Sequence, residues 1–377
     1  MSITRQKAKV RINELRAELE IHNRNYYVLN SPVITDFEYD LLMQELISLE
    51  KMFPEFSSAE SPSLKVGSDL SPENKEFRQY AHRFPMLSLG NTYNTEELIG
   101  FDTRIVNLSS SSPEYNCELK FDGTAICLTY EKGRLTRALT RGDGVKGDDV
   151  TANVLTIDSI PENIGEVYFD FEIRGEIYMP YDAFDRLNAE RAEQEEPPFA
   201  NPRNAASGSL KLLNPLEVSK RGLKCVLYHM LGDNLPFSLH TEAIAWAASR
   251  GLPVSEHSKI CRGRNEVFDY ISQWDEKRKF LPFPTDGIVI KVNNLSLQNR
   301  LGFTSKTPRW ATAFKFKPEE ALTRVLSFDY QVGRPGAVTP VANLEPVQLS
   351  GTVVRRATLH NFEQMELLDI RQNDWVY

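Results

Sequence analysis

Polar and apolar positions follow two different periods along this chain. Between Arg5 and Leu29, the positions Leu15, Leu19, His22 and Tyr26 recur at steps of three and four residues. That spacing predicts an amphipathic helix, which Asn30-Ser31-Pro32 closes. Thr35 with Glu38 three residues later forms a capping-box pattern, and Asp36, Tyr39, Leu42, Leu46 and Leu49 extend it into a second helix that Pro54 stops. The two helices predict a small hairpin. The Ser-, Pro- and Gly-rich stretch SSAESPSLKVGSDLSPEN then predicts a linker laid over a surface, with a domain boundary near Asp69.

Beyond that boundary the period falls to two. The runs YNCEL, TAICLTY, LTRALTR, YFDFEIRGEIY, KCVLYHML and GIVIKV predict strands, with helical stretches such as HTEAIAWAASR between them. The pattern predicts an α+β fold with largely antiparallel sheets. After Lys317-Pro318, the segments TRVLSFDYQVG, VTPVANLEPVQL and GTVVRRATL predict the opening strands of a small β-barrel, which is interrupted at Asn373-Asp374-Trp375-Val376-Tyr377. The expected division is 1–69, 70–317 and 318–377. No internal repeat is present.

Composition narrows the class. With 377 residues and 41% apolar content, the chain fills two or three ordinary cores. No run approaches about 18 apolar residues, and the opening MSITRQKAKVRINELRAELE has no apolar core of a secretory signal. The four cysteines, Cys117, Cys127, Cys225 and Cys261, form no C-x-x-C pair, so a zinc knuckle and a disulfide framework are both disfavoured and a reducing cytoplasm is expected. A net charge of −8 confines any contact with nucleic acid to a local patch.

Chemistry enters at Lys120-Phe121-Asp122-Gly123, a K-x-D-G pattern after a strand. A lysine amine attacks phosphorus only when unprotonated, which calls for desolvation or neighbouring cations; Lys291 and Lys315 are the candidate neighbours. By itself the pattern arises by chance in roughly one chain of this length in ten. A surface lysine at an Asp-Gly turn is the plainer reading of those four residues.

Further segments occur downstream in a fixed order: EIRGE at Glu172, FANPRNAASGSL at Phe199, TDGIVIKV at Thr285 and WATAFKF at Trp310. With FPMLSLGN at Phe84, CELKFDG at Cys117, TRGDGVKGDDVTAN at Thr140 and TPVANLEPVQLSGTVVRRATLHN at Thr339, the whole chain resembles the bacterial NAD-dependent DNA ligases. The resemblance implies a helical domain that binds the nicotinamide mononucleotide (NMN) half of NAD, a nucleotidyltransferase domain and part of an oligonucleotide-binding (OB) barrel. It implies three steps: Lys120 takes AMP from NAD and expels NMN, AMP passes to the 5′-phosphate of a DNA nick, and the 3′-hydroxyl displaces it. Mg²⁺ would shield phosphate charge.

By the same resemblance, Glu118, two residues from Lys120 on one strand face, meets the adenine or its lysine neighbour. Ser88 and Leu89 edge the adenine pocket, Asp122 and Gly123 complete the lysine motif, and Arg141 reaches the ribose and phosphate. Glu176 takes the ribose hydroxyls or helps to place Mg²⁺, with Asp286 as a second metal-side carboxylate. Lys291 and Lys315 neutralise the α-phosphate. In the hairpin, Asp36, Tyr39 and Asp40 share a helix face, and with Tyr26 they offer rings and carboxylates to the NMN half.

Two departures stand out. Tyr26-Tyr27 replaces the family's usual Tyr-His, so no imidazolium is available for the NMN phosphate, and Ser209-Leu210-Lys211 ends without the usual arginine. The family's zinc module, helix-hairpin-helix repeats and BRCT domain have no counterpart here. The expectation is therefore a monomeric adenylating core that modifies itself but seals nicked DNA poorly. The rivals are an ATP- or GTP-using relative with the same lysine chemistry, and a nucleotide-binding module without turnover.

Overall fold

A computed structural model of the chain describes residues 5–28, 33–34, 36–58, 60–65, 67–68, 70, 77–109, 112–316, 321–332, 338–349, 352–359 and 361–377. It divides into two compact units, Met1–Phe316 and Lys317–Tyr377.

The hairpin follows the apolar stripe. Ile12, Leu15 and Leu19 of the helix Arg5–Asn23 pack against Met43, Leu46 and Leu49 of the helix Asp36–Met52. Each fully buried side chain contributes about 1.5–3 kcal/mol, enough for a small core of its own. Arg11 with Glu45 and Arg16 with Glu50 cross-link the two helices by charge-assisted hydrogen bonds. The first helix does not stay α-helical to Leu29 as the periodicity predicts. It widens into a π turn over Arg24–Val28, which carries Tyr26 and Tyr27 with their rings edge to face at 4.8 Å. Such turns recur at functional positions. Thr35, and with it the expected capping box, lies outside the described residues.

The linker departs from expectation. Ser61 and Pro62 are buried, and the hydroxyls of Ser61 and Ser63 donate to the Glu50 carboxylate at 2.7 and 2.5 Å. Its serines satisfy a carboxylate that would otherwise be buried with one arginine, so the segment packs against the second helix.

Two larger sheets, with a two-stranded one pairing Gln79–Ala81 and Lys146–Asp148, build the rest of the first unit. One orders its strands as Gly90–Thr92, Ala311–Lys315, Thr285–Val292, Glu114–Phe121 and Lys259–Arg262; the other as Arg134–Thr140, Thr124–Glu131, Phe171–Tyr178 and Lys224–Leu231. Pairing is antiparallel except where Ala311–Lys315 runs parallel to Gly90–Thr92. Each sheet buries one face in its own core, the first under the helices Thr95–Ser109 and Arg264–Lys277, the second around Leu128, Phe171 and Ile173. The predicted α+β class is what the chain adopts.

In the second unit, four strands are ordered Thr352–Thr358, Val338–Leu349, Thr323–Val332 and Trp375–Val376, around Val325, Ala342, Leu344 and Leu359. Among the described residues, no helix is long and apolar enough to cross a membrane.

Candidate active site

The lysine motif lies at an irregularity in the first sheet. Phe121 faces Thr285 and Lys120 faces Gly287, so Asp286 is the extra residue of a β-bulge. A bulge turns its unpaired residue out of the ladder. Here it aims Asp286 at the lysine, whose Nζ donates to both carboxylate oxygens at 3.0 and 2.9 Å. Asp286, expected on the metal side, is here the ion-pair partner of Lys120. Lys291 and Lys315, expected beside Lys120, have other partners.

Lys291 and Glu118 form a buried pair: Nζ donates to Oε2 at 2.8 Å and to the Tyr228 carbonyl at 2.7 Å. Asn116 Nδ2 and His240 Nε2 both donate to the other oxygen, Oε1, at 2.6 and 3.0 Å. Burial opposes ionisation of Glu118, but Lys291 and the His240 hydrogen bond outweigh it and hold the carboxyl below its usual range.

Lys315 reaches the hairpin. Its Nζ lies 3.2 Å from Asp40 Oδ2, which also accepts from Asn91 Nδ2 at 3.0 Å and from the Tyr93 hydroxyl. Tyr39, one residue earlier, donates to Asn23 Oδ1 at 2.8 Å. The side chain of Asp36 lies outside the described residues.

The two tyrosines of the π turn cover cleft arginines. The Arg203 guanidinium sits 4.7 Å from the Tyr26 ring centre and donates to Asp122 Oδ1 at 2.8 Å. Arg141 sits 4.9 Å from the Tyr27 ring centre and donates to the Gly67 carbonyl at 2.9 Å, while His82 Nε2 donates to the Arg141 carbonyl at 3.0 Å. A Cβ on Gly67 would lie 2.0 Å from the Tyr27 ring, so glycine is what admits the ring there. Gly123 is needed in the same way, since a Cβ would lie 2.2 Å from the Ile177 carbonyl and 3.0 Å from Glu176 Cγ.

A cleft of about 1330 Å³ opens among these groups, lined by residues from the hairpin, both sheets and the loop before Trp310; Asp122 lies behind its lining. Tyr26, Tyr39, Asp40, Ser88, Leu89, Glu118, Lys120, Gly123, Arg141, Glu176, Lys291 and Lys315 all contribute. Ser88 donates its N–H to the Lys306 carbonyl at 3.0 Å, fixing the edge of the cleft. Lys211, which stands where the family usually has arginine, donates to Asp148 Oδ2 at 2.9 Å.

Glu176 sits within the strand Phe171–Tyr178, not at its end, and Tyr228 Oη lies 3.4 Å from its Oε2. Burial raises its carboxyl to about 7, against the opposing pull of Arg203, Lys120 and Arg141. Because the folded pKa lies above the unfolded value, ionisation of Glu176 costs stability progressively as pH rises through that interval to about 7. Glu176→Gln should therefore melt above the parent protein at pH 8, with the gap closing by pH 5. A gap independent of pH contradicts the assignment; thermal melts across that range decide it.

Sequence reasoning missed Arg203, Tyr228, His229 and His240. A second bulge explains two of them. Arg174 pairs with His229 and Gly175 with Leu227, leaving Tyr228 as the extra residue. Successive residues of a regular strand face opposite ways, yet Tyr228 and His229 both line the cleft. Arg203 lies in the quoted FANPRN segment, and its position at the start of a helix after Asn201 was the available signal.

Among the described residues, no group of three or more His, Cys, Asp or Glu converges to hold a metal ion. The carboxylates present fit at most a cation carried on substrate phosphates and water, as Mg²⁺ commonly is.

The chain matches three family models: "DNA ligase-like, N-terminal NAD+-binding domain" over residues 5–67, "NAD-dependent DNA ligase adenylation domain" over 74–319 and "NAD-dependent DNA ligase OB-fold domain" over 322–377. It is 55% identical over 371 residues to a DNA ligase of Parabacteroides distasonis, covering 98% of this chain and 55% of that protein. It is 56% identical over 369 residues to a DNA ligase of Phocaeicola vulgatus (97% and 55%) and 50% identical over 368 to one of Thermotoga petrophila (97% and 53%). The chain thus spans about half the length of the relatives it matches. The adenylation-domain match alone covers well over half of the chain, and on that ground the chain belongs to the NAD-dependent DNA ligase family.

Proposed function

We propose that this chain is the adenylating core of an NAD-dependent DNA ligase, with Lys120 the residue that becomes AMP-modified. The observation that carries this reading is the bulge-aimed Asp286 on Lys120, inside a cleft whose other wall is the hairpin's Tyr26, Tyr39 and Asp40.

In the reading, the adenine enters beside Glu118, Ser88 and Leu89, with Glu176 and Arg141 at the ribose. Asp122 steadies Arg203, and Gly123 lets the motif approach Glu176. The NMN half lies against Tyr26, Tyr39, Asp40 and Asp36. Tyr27 brings no imidazolium, but it carries the Arg141 guanidinium on its ring, so Arg141 supplies the cation for the pyrophosphate.

The Nζ–phosphorus bond forms as the bond from phosphorus to the NMN phosphate oxygen breaks. The ammonium first gives a proton to Asp286, the carboxylate already in contact with it, which frees the electron pair for attack; the second proton leaves to solvent once the Nζ–phosphorus bond has formed. Lys291 and Lys315 offset charge developing on the α-phosphate. A Mg²⁺ ion arriving with the phosphates would add to that shielding; Glu176 and Asp286 are the nearest carboxylates, and no step here depends on it.

The later partner is nicked double-stranded DNA, and the chain acts as a monomer in the cytoplasm. Its acidic balance of −8 offers no broad cationic surface, so DNA is held weakly. The expected result with NAD⁺, Mg²⁺ and a nicked duplex is one AMP per chain by intact mass, with sealing slower than self-adenylation by about 10²-fold or more. Sealing as fast as adduct formation contradicts the second half of this reading; absence of any adduct contradicts the first.

A further inference from the structure

Glu118 is held from three sides. A carboxylate offers about four acceptor positions. Asn116 and His240 occupy those of Oε1, at 2.6 and 3.0 Å, and Lys291 takes one on Oε2 at 2.8 Å. One position on Oε2 remains, and Glu118 lines the cleft. The adenylation reading uses Glu118 and Lys291 but gives His240 no part.

His240 is 1% exposed and opens the helix His240–Ser249. Its placement is fixed by the strand that also bears Lys291: the Asn293 carbonyl accepts from the His240 N–H at 2.7 Å, and Asn293 Oδ1 accepts from the Thr241 N–H and hydroxyl at 3.1 and 3.0 Å. Asn293 is itself tied by its N–H to the Glu114 carbonyl at 2.9 Å, on the strand that carries Glu118. The histidine is thus braced against both strands whose side chains it organises.

We propose that His240 is a positioning residue for purine selection: by saturating Oε1 of Glu118, it turns Oε2 toward the cleft as an acceptor for an exocyclic amine. The class of ligand selected is a 6-aminopurine nucleotide over a 6-oxopurine one. A 6-oxo group presents an oxygen to the Glu118 carboxylate, and two acceptors repel. Burial, and then the nearby Lys291 charge, keep the imidazole below its usual pKa, so at neutral pH it acts as a neutral N–H donor. The inference rests on the adenylation reading for its substrate.

The test compares AMP with inosine monophosphate by calorimetry, and NAD⁺ with nicotinamide hypoxanthine dinucleotide as AMP- or IMP-donor. The parent protein should favour the aminopurine by about tenfold or more in each comparison, the range of one hydrogen bond to a charged group. His240→Leu should bring both ratios close to one, chiefly by weakening AMP and NAD⁺. His240→Gln, which keeps a side-chain N–H donor, should restore most of the preference.

A purely structural histidine gives a different pattern, in which both nucleotides weaken together and the ratio stays put; that result overturns the proposal. So does a parent that binds the two monophosphates equally. Should His240→Leu fail to fold, Asn293→Ala loosens the brace instead and should lower the ratio in the same direction, and an unchanged ratio there also overturns it. A parent that prefers AMP but forms no adduct from NAD⁺ refutes the adenylation reading and leaves the positioning of Glu118 standing.

Discussion

Lys120→Ala should carry no AMP after prolonged exposure to NAD⁺, while retaining the fold. Lys120 keeps 22% side-chain exposure, and among the described residues it is paired with Asp286, whose side chain is 21% exposed. Both groups open on the solvent of the cleft, which limits what the pair contributes to stability. Removing the amine therefore takes away the nucleophile without leaving a costly buried charge. Lys120→Arg should be equally inert, because a guanidinium stays protonated and has no free pair of electrons for phosphorus. Asp286→Ala tests the other half of the contact. It keeps the nucleophile and removes the group placed to take its proton, so adduct formation should slow by about 10²-fold or more and not vanish. Rapid labelling of Lys120→Ala would move the chemistry to another residue. Intact mass and single-turnover labelling provide both measurements.

Lys291→Met should be the most destabilising change in the cleft. The pair with Glu118 is almost fully withdrawn from water, with side chains 5% and 7% exposed. Breaking such a pair from one side costs about 3–5 kcal/mol, because the remaining charge is left buried. Asn116 and His240 still donate to Glu118, which places the expected loss near the lower end. The pH dependence has a definite sign. Glu118 has a depressed pKa in the folded protein, so its stabilising contribution is present above the unfolded value and fades as pH falls through the folded one. The gap between parent and Lys291→Met should be widest near neutral pH and shrink in acid. Adding Glu118→Leu to Lys291→Met should recover much of the lost stability, since no unpaired charge remains. Urea denaturation of the single and double variants at pH 7.5 and at about pH 3, below the ordinary carboxyl value of 4.5, measures each effect; an additive double variant contradicts the pairing.

These arrangements show which parts of the site the sequence reveals. Strand periodicity located the strands bearing Glu118 and Lys291, because a buried sheet face imposes alternation on its own residues. The hairpin helices were legible for the same reason at a period of 3.6. The contacts between elements were not. Lys120 meets Asp286 at a sequence separation of 166 and Lys315 meets Asp40 at 275, and no local pattern encodes either. The contact of Asp286 with Lys120 was not legible because a bulge adds one residue to a strand and re-aims its side chain, while the run TDGIVIKV still reads as regular alternation. The same applies at Tyr228 and His229, where a bulge brings two successive side chains into one cleft. The linker Ser57–Asn74 read as surface because its residues are small and polar; Ser61 and Ser63 are there to satisfy Glu50, a partner that composition does not disclose.

The hairpin sets the identity of the nucleotide donor in this account. Asp40 joins it to Lys315, and Tyr26 and Tyr27 lie on Arg203 and Arg141; on the proposed reading this wall takes the second half of a dinucleotide. The most direct measurement offers adenylate-labelled NAD⁺ and labelled ATP separately to the parent chain with Mg²⁺, followed by peptide mapping of the label. Label should come from NAD⁺ alone and fall on the peptide containing Lys120; label from ATP alone, or on any other residue, would show that Lys120 is not the NAD-dependent nucleophile.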